Sequence, residues 1–154
     1  MILVSKLQRE VVEFKVKPVL YLCSSKKKIA TLVEASKRLS KGASAVLLLD
    51  NSERTAARAL PAYANAAIRF SEGIARSNSM QTEMLLLICG TMNIGKALRE
   101  CGAKANGKFL VFASSKKLFE KFSKANGISG EKSIALKMDP KIAGDVAITE
   151  LSSG

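Results

Sequence analysis

Apolar and polar residues follow two rhythms along this chain, one of period two and one near 3.6. Between Glu10 and Lys17, Val12, Phe14 and Val16 alternate with Glu13, Lys15 and Lys17, which predicts a half-buried strand. Pro18 interrupts it. Val19 to Cys23 follows as a buried strand, with the proline predicting an edge position or a break. Ser24 or Ser25 then predicts a helix cap. Ile29, Leu32, Val33, Ser36 and Leu39 recur at helical spacing, and Gly42 is a natural stop. Ala45 to Leu49 is a continuous apolar run of strand type. Asp50, Asn51 or Ser52 caps the next helix, which runs to about Ala75, with Pro61 expected to kink or divide it.

The densest signal spans Met80 to Phe112. Asn78 or Ser79 opens an apolar helix over Gln81–Cys89, and Gly90 breaks it. A second helix, Asn93–Glu100, is expected to turn Ile94, Ala97 and Leu98 inward before Cys101 and Gly102 end it. Phe109–Ala113 reads as a strand. Ser114 and Ser115 cap a helix to Ala125 that buries Leu118, Phe119 and Phe122. Gly127 and Gly130 mark a loop. Ser133–Met138 and Asp145–Leu151 read as strands, separated by a turn at Asp139-Pro140. Crossover helices together with a terminal strand pair predict an α/β fold, a single domain over residues 1–154 whose mixed β-sheet is packed with helices.

Composition sharpens this picture. The 154 residues are 47% apolar, enough for a real core. The net charge is +12, of which residues 1–50 carry +6, 51–100 carry +2 and 101–154 carry +4. The excess sits at the two ends of the sequence and attracts polyanions or an acidic protein. No histidine is present, which removes the commonest general base and metal ligand. Cys23, Cys89 and Cys101 lack CxxC spacing and read as buried free thiols suited to a reducing cytoplasm. Charges come too early for a secretory leader, and no apolar run approaches about 20 residues. No metal or cofactor is expected.

Candidate chemistry is thin. Leu20 to Lys27 and Leu110 to Lys117 share one pattern of strand, double serine and double lysine. Lys26, Lys27, Lys28, Lys116 and Lys117 would oppose a helix dipole, so a sequence chosen only for stability would avoid them. Serines and lysines at a helix start suit a phosphate. Carboxylates lack spaced partners, and Ser-Lys pairs such as Ser24/Lys27 and Ser114/Lys117 fit capped turns better than catalysis. Tyr63 and Phe70, seven apart, suit either base stacking or the core.

One segment resembles a known family. Ala64 and Ala67, Arg76-Ser77-Asn78-Ser79, Glu83-Met84-Leu85-Leu86, Cys89-Gly90, Asn93-Ile94, Ala97-Leu98 and Gly102 look like the kinase-binding small subunit of the KEOPS complex, the PRPK-binding-protein family. The likeness covers roughly Glu53 to Phe112, and Ala147–Leu151 is similar to the family's closing strand. It implies a cytoplasmic, non-catalytic α/β subunit that binds the Bud-type protein kinase and the single-stranded CCA end of tRNA. That subunit would support threonylcarbamoyladenosine modification of tRNA. The implied contact residues are Gly90, Asn93, Ile94, Lys96, Ala97, Lys104 and Lys108. Met92 stands where the family has arginine, so these lysines would replace its charge. Gly90-Thr91-Met92-Asn93 also looks like the kink-turn-binding ribosomal proteins. A small transferase for phosphorylated substrates is a third expectation.

Overall fold

The computed structural model describes residues 17–75, 77–104 and 107–138. In chain order the elements are β1 (Val19–Ser25), α1 (Ile29–Leu39), β2 (Val46–Asp50), α2 (Glu53–Ser71), α3 (Met80–Cys89), α4 (Ile94–Cys101), β3 (Phe109–Ala113), α5 (Lys116–Asn126) and β4 (Ile128–Ile134). The expected α/β fold is observed. The four strands form one sheet in the order β2-β3-β1-β4. Every described pairing is antiparallel, where a mixed sheet was expected, because each helical crossover carries the chain past a neighbouring strand. Each helical crossover skips one strand: β1-α1-β2 straddles β3, and β3-α5-β4 straddles β1. These are two interleaved split β-α-β units, with α2, α3 and α4 inserted between β2 and β3.

The period-two rhythm of the strands sorts side chains to two cores. Leu20, Leu47, Leu49, Leu110 and Phe112 face α2, α3 and α4, where they meet Tyr63, Met84 and Ile88. Cys23, Val46, Leu48, Phe109 and Val111 face the opposite side, with Leu32 of α1 and Phe119 and Phe122 of α5. The sheet is therefore a central layer with helices on both faces. Tyr63 lies 5.1 Å from Phe112, ring centroid to centroid, so it belongs to the core and not to a stacking platform. In α3 every residue except Thr82 is buried, as its all-round apolar sequence requires. Glu83 is the charged exception, 1% exposed. Its Oε1 accepts hydrogen bonds from the Ser77 amide and the Ser77 hydroxyl, each at 3.1 Å, which ties the incoming loop to the helix.

Four further expectations are corrected. Ser24 and Ser25 belong to β1, and α1 starts later with Lys28 at its N-cap and no side-chain cap. The Ser25 hydroxyl accepts instead from the Lys27 amide at 3.2 Å, closing a turn before the helix. Pro61 does not divide α2, which runs unbroken from Glu53 to Ser71. Gly127 ends α5, but Gly130 lies inside β4, and residues 135–138 lie outside any strand. Among the residues of β4 only Ile128 is buried, so there was no apolar alternation for the sequence to display. A register shift between Leu22 and Cys23, which pair with Lys132 and Gly130, leaves Glu131 as the extra residue of a bulge. A Cβ at Gly130 would lie 3.2 Å from Phe119, whose ring stacks on Tyr21. The fourth correction concerns Ile94 and Leu98 and belongs to the site. The strands expected at Glu10–Lys17 and Asp145–Leu151 fall outside the described residues, apart from Lys17. No helix among the described residues is long and apolar enough to cross a membrane.

Candidate docking groove and basic end

The α3–α4 turn is tightly specified. Gly90 takes the left-handed conformation, φ 77°, which ends α3 at little steric cost. Its amide and that of Thr91 both donate to the Leu86 carbonyl. The buried Thr91 hydroxyl accepts from the Asn93 amide at 3.1 Å. Asn93 caps α4, its Oδ1 accepting from the Lys96 amide at 3.0 Å. Thus Gly90 and Asn93, singled out in the sequence, set the angle between two helices through backbone bonds.

Helix α4 presents a divided face. Ala97 is fully buried and Cys101 nearly so, while Ile94 is 49% and Leu98 48% exposed. The sequence reading turned Ile94, Ala97 and Leu98 inward together, and that is wrong for two of the three. At about 100° per residue, Ile94 and Leu98 lie on the flank of the Ala97–Cys101 stripe that packs inward, about 60° from its centre.

The outward stripe borders a groove. Ile29 and Val33 of α1 form one wall, Ile94 and Leu98 of α4 the other, and Leu48 and Leu85 lie between them. Its volume is about 480 Å³, within the range of ligand-sized clefts. Gln81, 7% exposed, also lines it. The Gln81 Nε2 donates to the Ser36 hydroxyl at 2.8 Å and to the Val46 carbonyl at 2.6 Å. Both described bonds use Nε2, so Oε1 keeps its acceptor capacity. Gln81 and the α1 wall were not singled out in the sequence. Gln81 shares the polar first turn of α3 with Thr82 and Glu83, so no signal in the sequence set it apart.

Strand registers locate the lysines. Asp50, Phe109, Cys23 and the start of β4 share one end of the sheet. Lys26, Lys27 and Lys28 follow β1 at that end, and Lys108 precedes Phe109 there. Lys104 follows Gly102, which bridges to Leu49 at the same end. Lys116 and Lys117 follow β3 and so lie at the opposite end. The two double-lysine turns alike in sequence are therefore not brought together. Lys26, Lys27, Ser24, Ser25 and Gly127 rim an open hollow of about 520 Å³.

Several of these charges are engaged. The Lys108 ammonium lies 2.8 Å from the Glu131 carboxylate. Hydrogen bonding from Lys108, then from Ser24, holds the Glu131 carboxyl below its ordinary value. Lys96 sits 3.9 Å from Glu100. The Lys104 ammonium donates to the Arg99 carbonyl, stabilising the C-terminal turn of α4. The resemblance-implied set thus divides. Gly90, Asn93, Ile94, Lys96 and Ala97 belong to one turn and helix, whereas Lys108 joins the β1–β4 side.

The thiols are structural in character. Burial pushes Cys23 up to about 12, with the Glu131 charge adding to it. Burial and then a hydrogen bond with Cys89 push Cys101 up to about 12. Both stay protonated near neutrality and are poor nucleophiles there. Among the described residues no three metal-ligating side chains converge. What the surface offers is an apolar groove beside a basic end. No protein-family model matches the chain, and no curated protein matches it.

Proposed function

We propose that the chain is a non-catalytic binding subunit of the KEOPS type. In this reading it engages a Bud-type protein kinase and the single-stranded CCA end of tRNA, and so supports threonylcarbamoyladenosine formation in the cytoplasm. One observation carries the reading. Within the segment that resembles the family, Ile94 and Leu98 stand half exposed on a helix whose start is fixed by Gly90 and Asn93. An apolar stripe held so rigidly at the surface costs hydration and fits a partner that covers it. The basic end formed by Lys26, Lys27, Lys28, Lys104 and Lys108 supports the RNA half of the reading, because a single strand needs cations along its phosphates.

Co-purification of the full chain with the cognate small kinase tests the first half. A complex stable at micromolar concentration is expected, and Ile94→Glu is expected to abolish it while the circular dichroism spectrum stays unchanged. No complex would remove the kinase reading. The RNA half is tested with tRNA bearing and lacking its CCA end. Weaker binding of the truncated tRNA is expected. Equal binding would reduce the interaction to charge attraction, and tighter binding of a kink-turn RNA would favour the ribosomal-protein likeness.

A further inference from the structure

We propose that the groove between α1 and α4 seats an amphipathic helix from a protein partner, with acidic residues along that helix's flanks. This deepens the kinase-subunit reading by naming the kind of element the partner presents, and it rests on that reading only for the partner's identity.

The mode follows from what the floor offers. The groove lies along β2, which among the described residues is an edge strand. An open edge would invite an added strand. Here the edge is already occupied. The Val46 amide donates to the Ser40 hydroxyl at 3.0 Å, and the Val46 carbonyl accepts from Gln81. Farther along, Leu49 is bridged antiparallel to Gly102. With Val46 paired through both its amide and its carbonyl and Leu49 in a bridge, little of the edge is left for an added strand, and a ligand is held mainly by side chains between two helical walls. A helix that inserts apolar residues at i, i+3, i+4 and i+7 does this.

The occupant's charge follows from the rim. Lys37 is on the α1 wall, and Lys28 directly precedes Ile29. Lys104 follows Ala103 at the groove's end. No carboxylate is among the groove's lining residues. The acidic residues of the two helices are engaged elsewhere, Glu34 with Lys37 at 3.5 Å and Glu100 with Lys96 at 3.9 Å. Lys28 and Lys104 have no acidic partner among the described residues. An apolar helix with acidic flanks satisfies both the walls and the rim.

The test is a selection of randomised displayed peptides against the full chain. Enrichment of sequences with helical apolar spacing and excess Glu or Asp is expected. Their affinity should fall at least about tenfold for the Ile94→Glu/Leu98→Glu chain and by a similar factor for Lys28→Glu/Lys37→Glu. Chemical-shift mapping on the unaltered chain locates the bound peptide even where a variant fails to fold, and shifts concentrated on α1, α3 and α4 are expected. Three results would overturn the proposal. One is enrichment of basic or extended peptides. Another is binding that maps away from the groove. The third is a concentration-dependent dimer abolished by Leu98→Glu, which would assign the groove to a second copy. Failure of the kinase pull-down with a successful selection removes only the partner's identity.

Discussion

Gly90 and Gly102 bracket α4, and they are glycines for different reasons. Gly90 needs its left-handed backbone, which an L-residue adopts at a cost of about 1–2 kcal/mol. Gly102 has an ordinary φ of −75°, but a Cβ there would sit 2.5 Å from the Leu98 carbonyl oxygen. That atom is backbone, so the helix end itself would have to move. Gly102→Ala is therefore expected to lower the urea midpoint more than Gly90→Ala does, at unchanged slope. A smaller effect for Gly102→Ala would show that α4 can shift freely. At this scale the sequence was legible for Gly90, Asn93 and Ala97, whose identities fit one conformation each. It was illegible for Ile94 and Leu98. Aliphatic residues at i and i+4 look the same whether the stripe packs inward or borders a groove. Only the position of α1 across that groove decides between them.

Caps show the same contrast among the helices. Ser52, Ser79, Asn93 and Ser115 each accept a hydrogen bond from the first turn of the helix they precede. These starts were readable because the capping chemistry is local. Helix α1 alone among the five begins on a residue without a side-chain cap, Lys28. Lys28→Asp is expected to raise stability by about 0.5–1 kcal/mol in a thermal melt, through a cap and a favourable dipole contact. The same change should weaken binding of any acidic ligand at the groove. A gain in both would argue that Lys28 has no binding role. Strand β4 escaped the sequence because it is nearly all exposed, and its pairing with β1 comes from a distant element. The strand order as a whole was likewise hidden, since among the described strands the one consecutive pair that is hydrogen-bonded, β2 and β3, is separated by three helices.

Across the whole molecule, titration and charge make two checkable demands. Cys23 and Cys101 rise from an ordinary 9.0 to about 12, and Tyr63 from 10.0 to about 12, chiefly through burial. Each binds its proton more tightly folded than unfolded. Their contribution to stability is thus complete below the ordinary values and is lost as pH climbs from about 9 towards 12. A denaturant midpoint flat near neutrality and falling above about pH 9 is expected, and a flat profile to pH 11 would contradict the burial of these groups. For RNA, the two lysine clusters lie at opposite ends of the sheet. Replacing Lys26 and Lys27 with Gln should reduce the salt slope of single-strand binding by about 0.7 per lysine. The same change at Lys116 and Lys117 should leave CCA-end binding unaltered. Equal effects at both ends would mean diffuse attraction.

The strand order also fixes a timetable for synthesis. Strand β1 pairs only with β3 and β4 among the described strands, and β2 only with β3. Neither early strand can be matched until residue 113 has left the ribosome. About 90 residues separate the end of β1 from that point, roughly 5–20 s of translation. Throughout that wait Val19–Cys23 and Val46–Leu49 are nascent apolar segments without partners, natural substrates for a chaperone. The inserted helices α2 and α3 make sequence-local contacts and can associate first, so the half of the chain that packs against the sheet's inner face is ready before the sheet exists. Nascent chains stalled with residue 105 just outside the exit tunnel should accordingly show helical protection in α2 and α3 and none in β1 or β2.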